Sequence, residues 1–213
     1  MTTVQTLPAN ILTPGDVHEL LGLSRGASLE FEEILDLDPL SDFETQELTN
    51  LQELYFSYLT DRTLNEGQVK FLFISPLLKL AGFLSGDIKI TLEENIATIN
   101  IEVEDEGLTI KGRMDLLAIK RSQNTSFWIL VVETKVGSGA TRLATPQLLT
   151  YAYKAIGSQD HVWALASNGE DFQFFSVQQG HPPTYHYLPK LWLLDRKSSQ
   201  ILLQVLKAIR AAI

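Results

Sequence analysis

The sequence predicts an α/β sandwich built around a mixed sheet, and three observations lead there. Apolar residues recur at helical spacing in capped segments up to Ala81. From Ile88 onward the apolar period changes to two. Within that second region Phe127 to Val132 reads FWILVV, six apolar residues followed at once by Glu133-Thr134-Lys135. A short unbroken apolar run bounded by polar segments is the pattern of a central strand covered on both faces.

Taken in order, Met1 to Leu12 is a polar leader expected to be loosely held. Thr13-Pro14-Gly15-Asp16 combines a capping-box spacing with proline at the first helical position, so a short helix starts there and Gly22 ends it. Ser24 to Leu40 is acidic and irregular. Ser41 and Glu44 form a second capping box before a longer helix, with Leu48, Leu51, Tyr55, Tyr58 and Leu59 as its apolar stripe. Leu64 to Ala81 predicts a third helix, bent or restarted at Pro76 and stopped by Gly82. Ile88 to Leu92, Ile96 to Val103 and Leu108 to Ile119 alternate as strands. With Phe127 to Thr134 they predict a meander of about four strands, the last two joined as a hairpin through Lys120 to Ser126. Thr145-Pro146 is expected to cap a helix that runs to Ile156 and closes at Gly157. Val162 to Ala166 and Phe172 to Val177 follow as strands joined by a turn at Asn168-Gly169, and Ser198 to Ile213 reads as an amphipathic helix. Residues 1–63 are thus expected as a helical extension packed on a core formed by residues 64–213.

At 45% apolar residues the chain can bury a sizeable core. It has no cysteine, which excludes disulfides and thiolate metal sites. No apolar run of 18 residues predicts a membrane span and no basic-then-apolar leader marks secretion, so a cytoplasmic protein is expected. The net charge of −9 argues against nucleic acid as a partner, but its distribution reverses that. Residues 1–106 carry 20 acids and 5 bases, whereas residues 107–213 carry 6 acids and 12 bases. Between residues 111 and 154, Lys111, Arg113, Lys120, Arg121, Lys135, Arg142 and Lys154 surround only Asp115 and Glu133. A basic surface around two acids suits a site that cuts a phosphodiester. The plainer reading treats these charges as solvated faces.

Asp115 lies on the strand candidate that precedes the apolar run, and Glu133 ends the run itself. Neighbouring strands are about 4.8 Å apart, so the two carboxylates can converge on one divalent cation. Alternation puts Val131, Glu133 and Lys135 on one face and Val132 and Thr134 on the other. An acid-x-lysine tripeptide is a weak signal, and the chain holds three: Asp87-Ile88-Lys89, Glu133-Thr134-Lys135 and Asp195-Arg196-Lys197. Only the middle one ends a buried strand, follows a strand with another acid and precedes a capped helix. Gln147, Tyr151 and Lys154 are spaced to share one helical face, with the helix N-terminus near Gln147 free to bind a phosphate. The four histidines show no metal spacing.

Gly112-Arg113-Met114-Asp115, Glu133-Thr134-Lys135 and Gln147-x-x-x-Tyr151 together resemble the PD-(D/E)xK nuclease superfamily, chiefly the nuclease domain at the N-terminus of type I restriction R subunits and its stand-alone relatives. The Gln-x-x-x-Tyr element is shared with the RecB-like nucleases. Glu66 and the stretch Phe73 to Phe83 resemble the helix before that core. The likeness covers roughly residues 64–177, and Met114 stands where the motif name has proline. The resemblance implies a restriction-endonuclease-like three-layer core, a central mixed β-sheet flanked by helices, with the N-terminal helical extension added. It also implies Mg²⁺ or Mn²⁺ held by Asp115, Glu133 and the Thr134 carbonyl, with Lys135 orienting the attacking water or neutralising charge on the phosphate. Glu66 is implied as an additional ligand or water contact, and Gln147 as part of the catalytic set. Arg113, Arg142, Gln147, Tyr151 and Lys154 are implied as nucleic-acid contacts.

A metal-dependent nuclease acting on DNA, in restriction or a related defence or repair task, is the reading these residues favour. No Gly-x-x-x-x-Gly-Lys-Ser/Thr loop is present, so ATP-driven translocation is not assigned to this chain. Its expected partners are DNA and a second copy or other restriction-system subunits, with no membrane. The alternative is an inactive nuclease-fold module that binds nucleic acid or assembles with a partner, which the acidic N-terminal half favours.

Overall fold

Both capping boxes form. In the computed structural model, which describes residues 5–61, 64–95, 99–103, 106–122, 125–137 and 139–212, the Thr13 hydroxyl accepts from the Asp16 amide while Asp16 accepts from the Thr13 amide at 2.7 Å. They start α1 (Pro14–Leu21), which Gly22 ends in the left-handed conformation at φ 61°. Ser41 and Glu44 repeat the arrangement at the head of α2 (Asp42–Asp61). Leu48, Leu51 and Tyr55 are buried, but Leu59 is 48% exposed. Leu59 lies about 100° around the helix from Tyr58, past the edge of the stripe.

The third helical stretch is one run with a wide turn inside it. Asn65 caps α3 (Glu66–Val69), a π-helical turn covers Lys70–Ile74, and α4 (Ser75–Leu80) stops at Gly82, φ 86°. Pro76 has no N–H and its ring clashes with the carbonyl four residues back in a regular helix. The turn widens just before it, with the Ser75 amide donating to the Lys70 carbonyl.

The strands are β1 (Gln5–Pro8), β2 (Ser24–Arg25), β3 (Ile88–Asn95), β4 (Ile99–Val103), β5 (Glu106–Lys111), β6 (Arg113–Ser122), β7 (Thr125–Thr134), β8 (His161–Ser167), β9 (Asp171–Gln178), β10 (Thr184–Tyr187) and β11 (Leu191–Trp192). Between and after them stand α5 (Ala140–Ile156) and α6 (Arg196–Ala211). The main sheet runs β2-β10-β9-β8-β7-β6-β3, with β11 beside β9, and its pairings are mixed. β7 lies antiparallel to β6 on one side and parallel to β8 on the other, the place expected of the unbroken apolar run. Alternation divides the sheet between two cores. Trp163 and Leu165 of β8 pack with α2, the α3–α4 run and α6, while Val162, Ala164 and Ala166 pack with α1 and α5. The fold is therefore α/β, a mixed sheet with helices on both faces. Among the described residues no helix is long and apolar enough to cross a membrane.

Four expectations are corrected. Leu108 to Ile119 is not one strand: it divides at Gly112, and β5 leaves for a separate three-stranded sheet ordered β1-β5-β4. The meander is thus split over two sheets, and β3 pairs with β6 instead. Residues 96–98 of the predicted second strand lie outside the described residues. The leader is not loose from Gln5 onward, since β1 pairs with β5 in parallel and Ala9 and Leu12 are buried. Its residues 1–4 lie outside the described residues. Finally, α5 starts at Ala140 behind Gly139 rather than at Thr145-Pro146, and Pro146 sits inside it.

Gly112 is where the chain turns between sheets under tight sterics. A Cβ there would lie 2.7 Å from the Tyr151 hydroxyl and 2.9 Å from the Ala9 Cβ. Both neighbours are buried and cannot withdraw. Gly112→Ala is expected to lower stability by about 1–3 kcal/mol, read by urea denaturation. An unchanged midpoint would show that this crossing is looser than its geometry.

Candidate active site

The ladder between β6 and β7 runs from Ser122↔Thr125 to Leu116↔Val132, and beyond it the two strands part at their acidic ends. There the Asp115 side chain replaces a backbone partner. Its Oδ2 accepts from the Thr134 amide and from the Thr134 hydroxyl, both at 2.7 Å. On β6 the alternation breaks at this residue: Leu116 belongs to one core and Leu117 to the other, yet Met114 joins the core of Leu117. Across the sheet the β3 ladder passes from Leu92↔Leu116 to Glu94↔Met114, and Glu93, between those pairs, has φ 54°. A left-handed glutamate in a strand is strained, on the order of 1 kcal/mol or more, and such irregularities re-aim side chains. Here Asp115 faces Lys70 and Thr134.

The N-terminal turns of the third helical stretch cross over these strand ends. Glu66 and Lys70 are one turn apart and share a face. Lys70 Nζ lies 3.1 Å from Asp115 Oδ1 and 3.8 Å from Glu93 Oε1, while Arg113 lies 3.4 Å from the other Glu93 oxygen. Lys135 Nζ lies 3.0 Å from Glu133 Oε1 and 3.7 Å from Glu66 Oε1. Asp115 and Glu93 are thus matched by Lys70 and Arg113, whereas Glu133 and Glu66 share Lys135 alone and that second set is one positive charge short. Among the described residues no three acid or imidazole side chains form a ready cage for a metal ion. Lys70 bridges Asp115 and Glu93, and Lys135 bridges Glu133 and Glu66.

Glu133 bears the deficit. It is 1% exposed, and its Oε2 is buried with no hydrogen-bond partner. Burial first, then the negative charge of Asp115, pushes its carboxyl up to about 7, against the opposing pull of Lys135. Burial pulls the Lys135 ammonium down, but its hydrogen bond and charge pairing with Glu133, helped by Glu66 and Asp115, outweigh that and hold it above the ordinary lysine value. A buried carboxylate oxygen with nothing to bind, in a group short of positive charge, is completed by a proton or by a hard cation. The donor set is compatible with a divalent ion as well as with a proton.

Behind this group α5 forms the wall. Gln147 donates to the Tyr151 hydroxyl at 2.7 Å, and that hydroxyl donates to the Arg113 carbonyl at 3.0 Å. Burial first, then nearby Glu133, raises the Tyr151 phenol above its usual range. Both residues are buried, Tyr151 completely, so the pair tethers the head of β6 and offers no open face. The expectation of free N–H groups near Gln147 is corrected as well. Gln147 lies mid-helix, and the helix begins at Ala140, after a turn with Gly137 and Gly139 at positive φ. Arg142, in that first turn, is exposed, as are Arg113 and Lys154. Lys154 stands about 18 Å of helix beyond Arg142, away from the strand ends.

Asp115, Glu133, Thr134, Lys135 and Glu66 are therefore brought together, with Gln147 and Tyr151 behind them and Lys154 apart. Sequence reasoning missed Lys70 and Glu93. The first had a visible signal, its position four residues after Glu66 on one helix. The second had none, because the strand break at Glu93 depends on what stands opposite.

Compared with known proteins, the chain matches no family and no curated protein. Among solved structures it is similar to one described as the crystal structure of SSO0001, at 14% identity and a TM-score of 0.33 over 87% of this chain and 76% of that one. An overlap that shallow fixes neither fold family nor chemistry.

Proposed function

We propose that this chain is a metal-dependent nuclease with a restriction-endonuclease-like core, hydrolysing DNA phosphodiesters in restriction or a related defence task. The observation that carries this reading is the buried, unpartnered Glu133 Oε2 beside Asp115 and Lys135 at the parting ends of two central strands. Asp115 and Glu133, with the Thr134 carbonyl, would hold Mg²⁺ or Mn²⁺. Such an ion polarises the scissile phosphate and lowers the pKa of an attacking water. The chain's own residues do the rest. The Thr134 amide and hydroxyl fix the Asp115 carboxylate. Lys135, a third exposed, keeps its proton beside Glu133 and Glu66 and faces solvent where a water can be oriented or phosphate charge neutralised. Arg142, exposed in the first turn of α5, and Arg113, exposed though paired with Glu93, would supply phosphate contacts, and DNA is the partner proposed for them.

The test is calorimetric titration of wild type and Asp115→Ala with Mg²⁺ and Mn²⁺, followed by incubation with plasmid and single-stranded DNA. Wild type is expected to bind and cut, and Asp115→Ala to do neither. Because a ligating carboxylate must be ionised, binding at pH 6 is expected to release more protons from Glu133 than binding at pH 8.5. A folded wild type that neither binds metal nor cuts DNA would move the reading to an inactive module assembling with a partner.

A further inference from the structure

We propose that Lys70 is a positioning residue, a tethered ammonium that holds Asp115 while no metal is bound and passes to Glu93 when one enters. This rests on the nuclease reading above and adds a residue to it. Lys70 is the first residue of the π-helical turn, a departure from regular helix that is frequent at functional sites. Its side chain is 20% exposed, so it is confined between two acids rather than extended into water.

The two contacts are unequal. Lys70 Nζ is at hydrogen-bond distance from Asp115 Oδ1, 3.1 Å, but at 3.8 Å from Glu93 Oε1. Asp115 Oδ2 is already taken twice by Thr134. Oδ1 is the oxygen left for an incoming cation, and Lys70 covers it. Two positive charges cannot share one oxygen at low cost, so the ammonium must give way. Glu93 is its landing place, partly exposed, strained in its backbone and held from its other side by Arg113. The arrangement keeps Asp115 aimed and makes metal entry compete with an internal cation.

The experiment uses the full chain and magnesium as the probe. By calorimetry, Lys70→Met is expected to bind Mg²⁺ roughly tenfold more tightly than wild type, since a charge-assisted hydrogen bond no longer has to be broken. Glu93→Gln is expected to bind more weakly than wild type and to have no effect when Lys70 is already methionine. A metal-independent arm keeps the two readings apart. In chelator, thermal melts of Lys70→Met, Asp115→Asn and the double variant are expected to be non-additive, as for two groups in contact. Coupling in chelator with equal or weaker Mg²⁺ binding by Lys70→Met would overturn the hand-over and leave the nuclease reading standing. No Mg²⁺ binding by wild type or by Lys70→Met would overturn both. Additive melts would overturn the contact on which the inference stands.

Discussion

Asp115→Ala and Lys135→Ala are expected to lower DNA cleavage by roughly three orders of magnitude or more while leaving the fold intact. Both residues lie at strand ends, outside the apolar cores. Asp115 makes its bonds to Thr134 and Lys70, and Lys135 makes its own to Glu133 and Glu66. Removing either leaves Val132, Leu130, Leu116 and their neighbours packed as before. The measurement is a single-turnover cleavage rate on plasmid beside the circular dichroism of each variant. Cutting at the wild-type rate by either variant would sink the site assignment. Loss of cutting together with loss of fold would be met by Asp115→Asn and Lys135→Met, which keep the volume and remove the charge.

The second large effect concerns Glu133 and has the opposite sign for stability. Its carboxyl is held at about 7 against an ordinary 4.5. Between those values the folded state keeps a proton that the unfolded chain has released, so stability falls as pH rises through that window. The contribution is complete below about pH 4.5 and lost above about 7. Replacing the carboxylate with the isosteric amide removes the penalty of burying a charge. Glu133→Gln is therefore expected to be more stable than wild type at pH 8, by on the order of 3 kcal/mol, and similar to it near pH 4. The same variant is expected to lose metal binding. Urea denaturation at the two pH values reads the difference, and an advantage equal at both would show that Glu133 folds as an ordinary acid. A residue that weakens the fold at working pH and is nevertheless buried at the end of a central strand is the kind expected at a functional site.

Much of this was open to a reader of the sequence. The run FWILVV has the pattern of a strand covered on both faces, because it is short, bounded by polar segments and does not alternate as an exposed strand would. It lies at the middle of the sheet, between β6 and β8. The capping boxes at Thr13 and Ser41 are local hydrogen-bond patterns and formed where they were written. Asp115 and Glu133 were placed near one another because adjacent strands are bound to bring their ends together, and Glu133 and Lys135 because two residues along a strand share a face.

The misreadings have a common cause. Gln147 and Tyr151 read as an open helical face able to meet nucleic acid, since nothing within α5 says what lies over it. The strand Gln5–Pro8, the turn at Ala9 and helix α1 close over that face, and the pair becomes a buried tether for Arg113. The division of 108–119 at Gly112 is decided by the same meeting of Ala9, Gly112 and Tyr151, which are far apart in the chain.

By itself the sequence determined the local elements, the central place of β7 and the approach of two acids and a lysine, because each follows from periodicity or from neighbours a few residues away. Only the tertiary structure decided that Lys70 covers Asp115, that Glu93 is bent to meet it and that one oxygen of Glu133 is buried without a partner. Those facts depend on long-range packing and on the count of charges brought into one place, which no local pattern records.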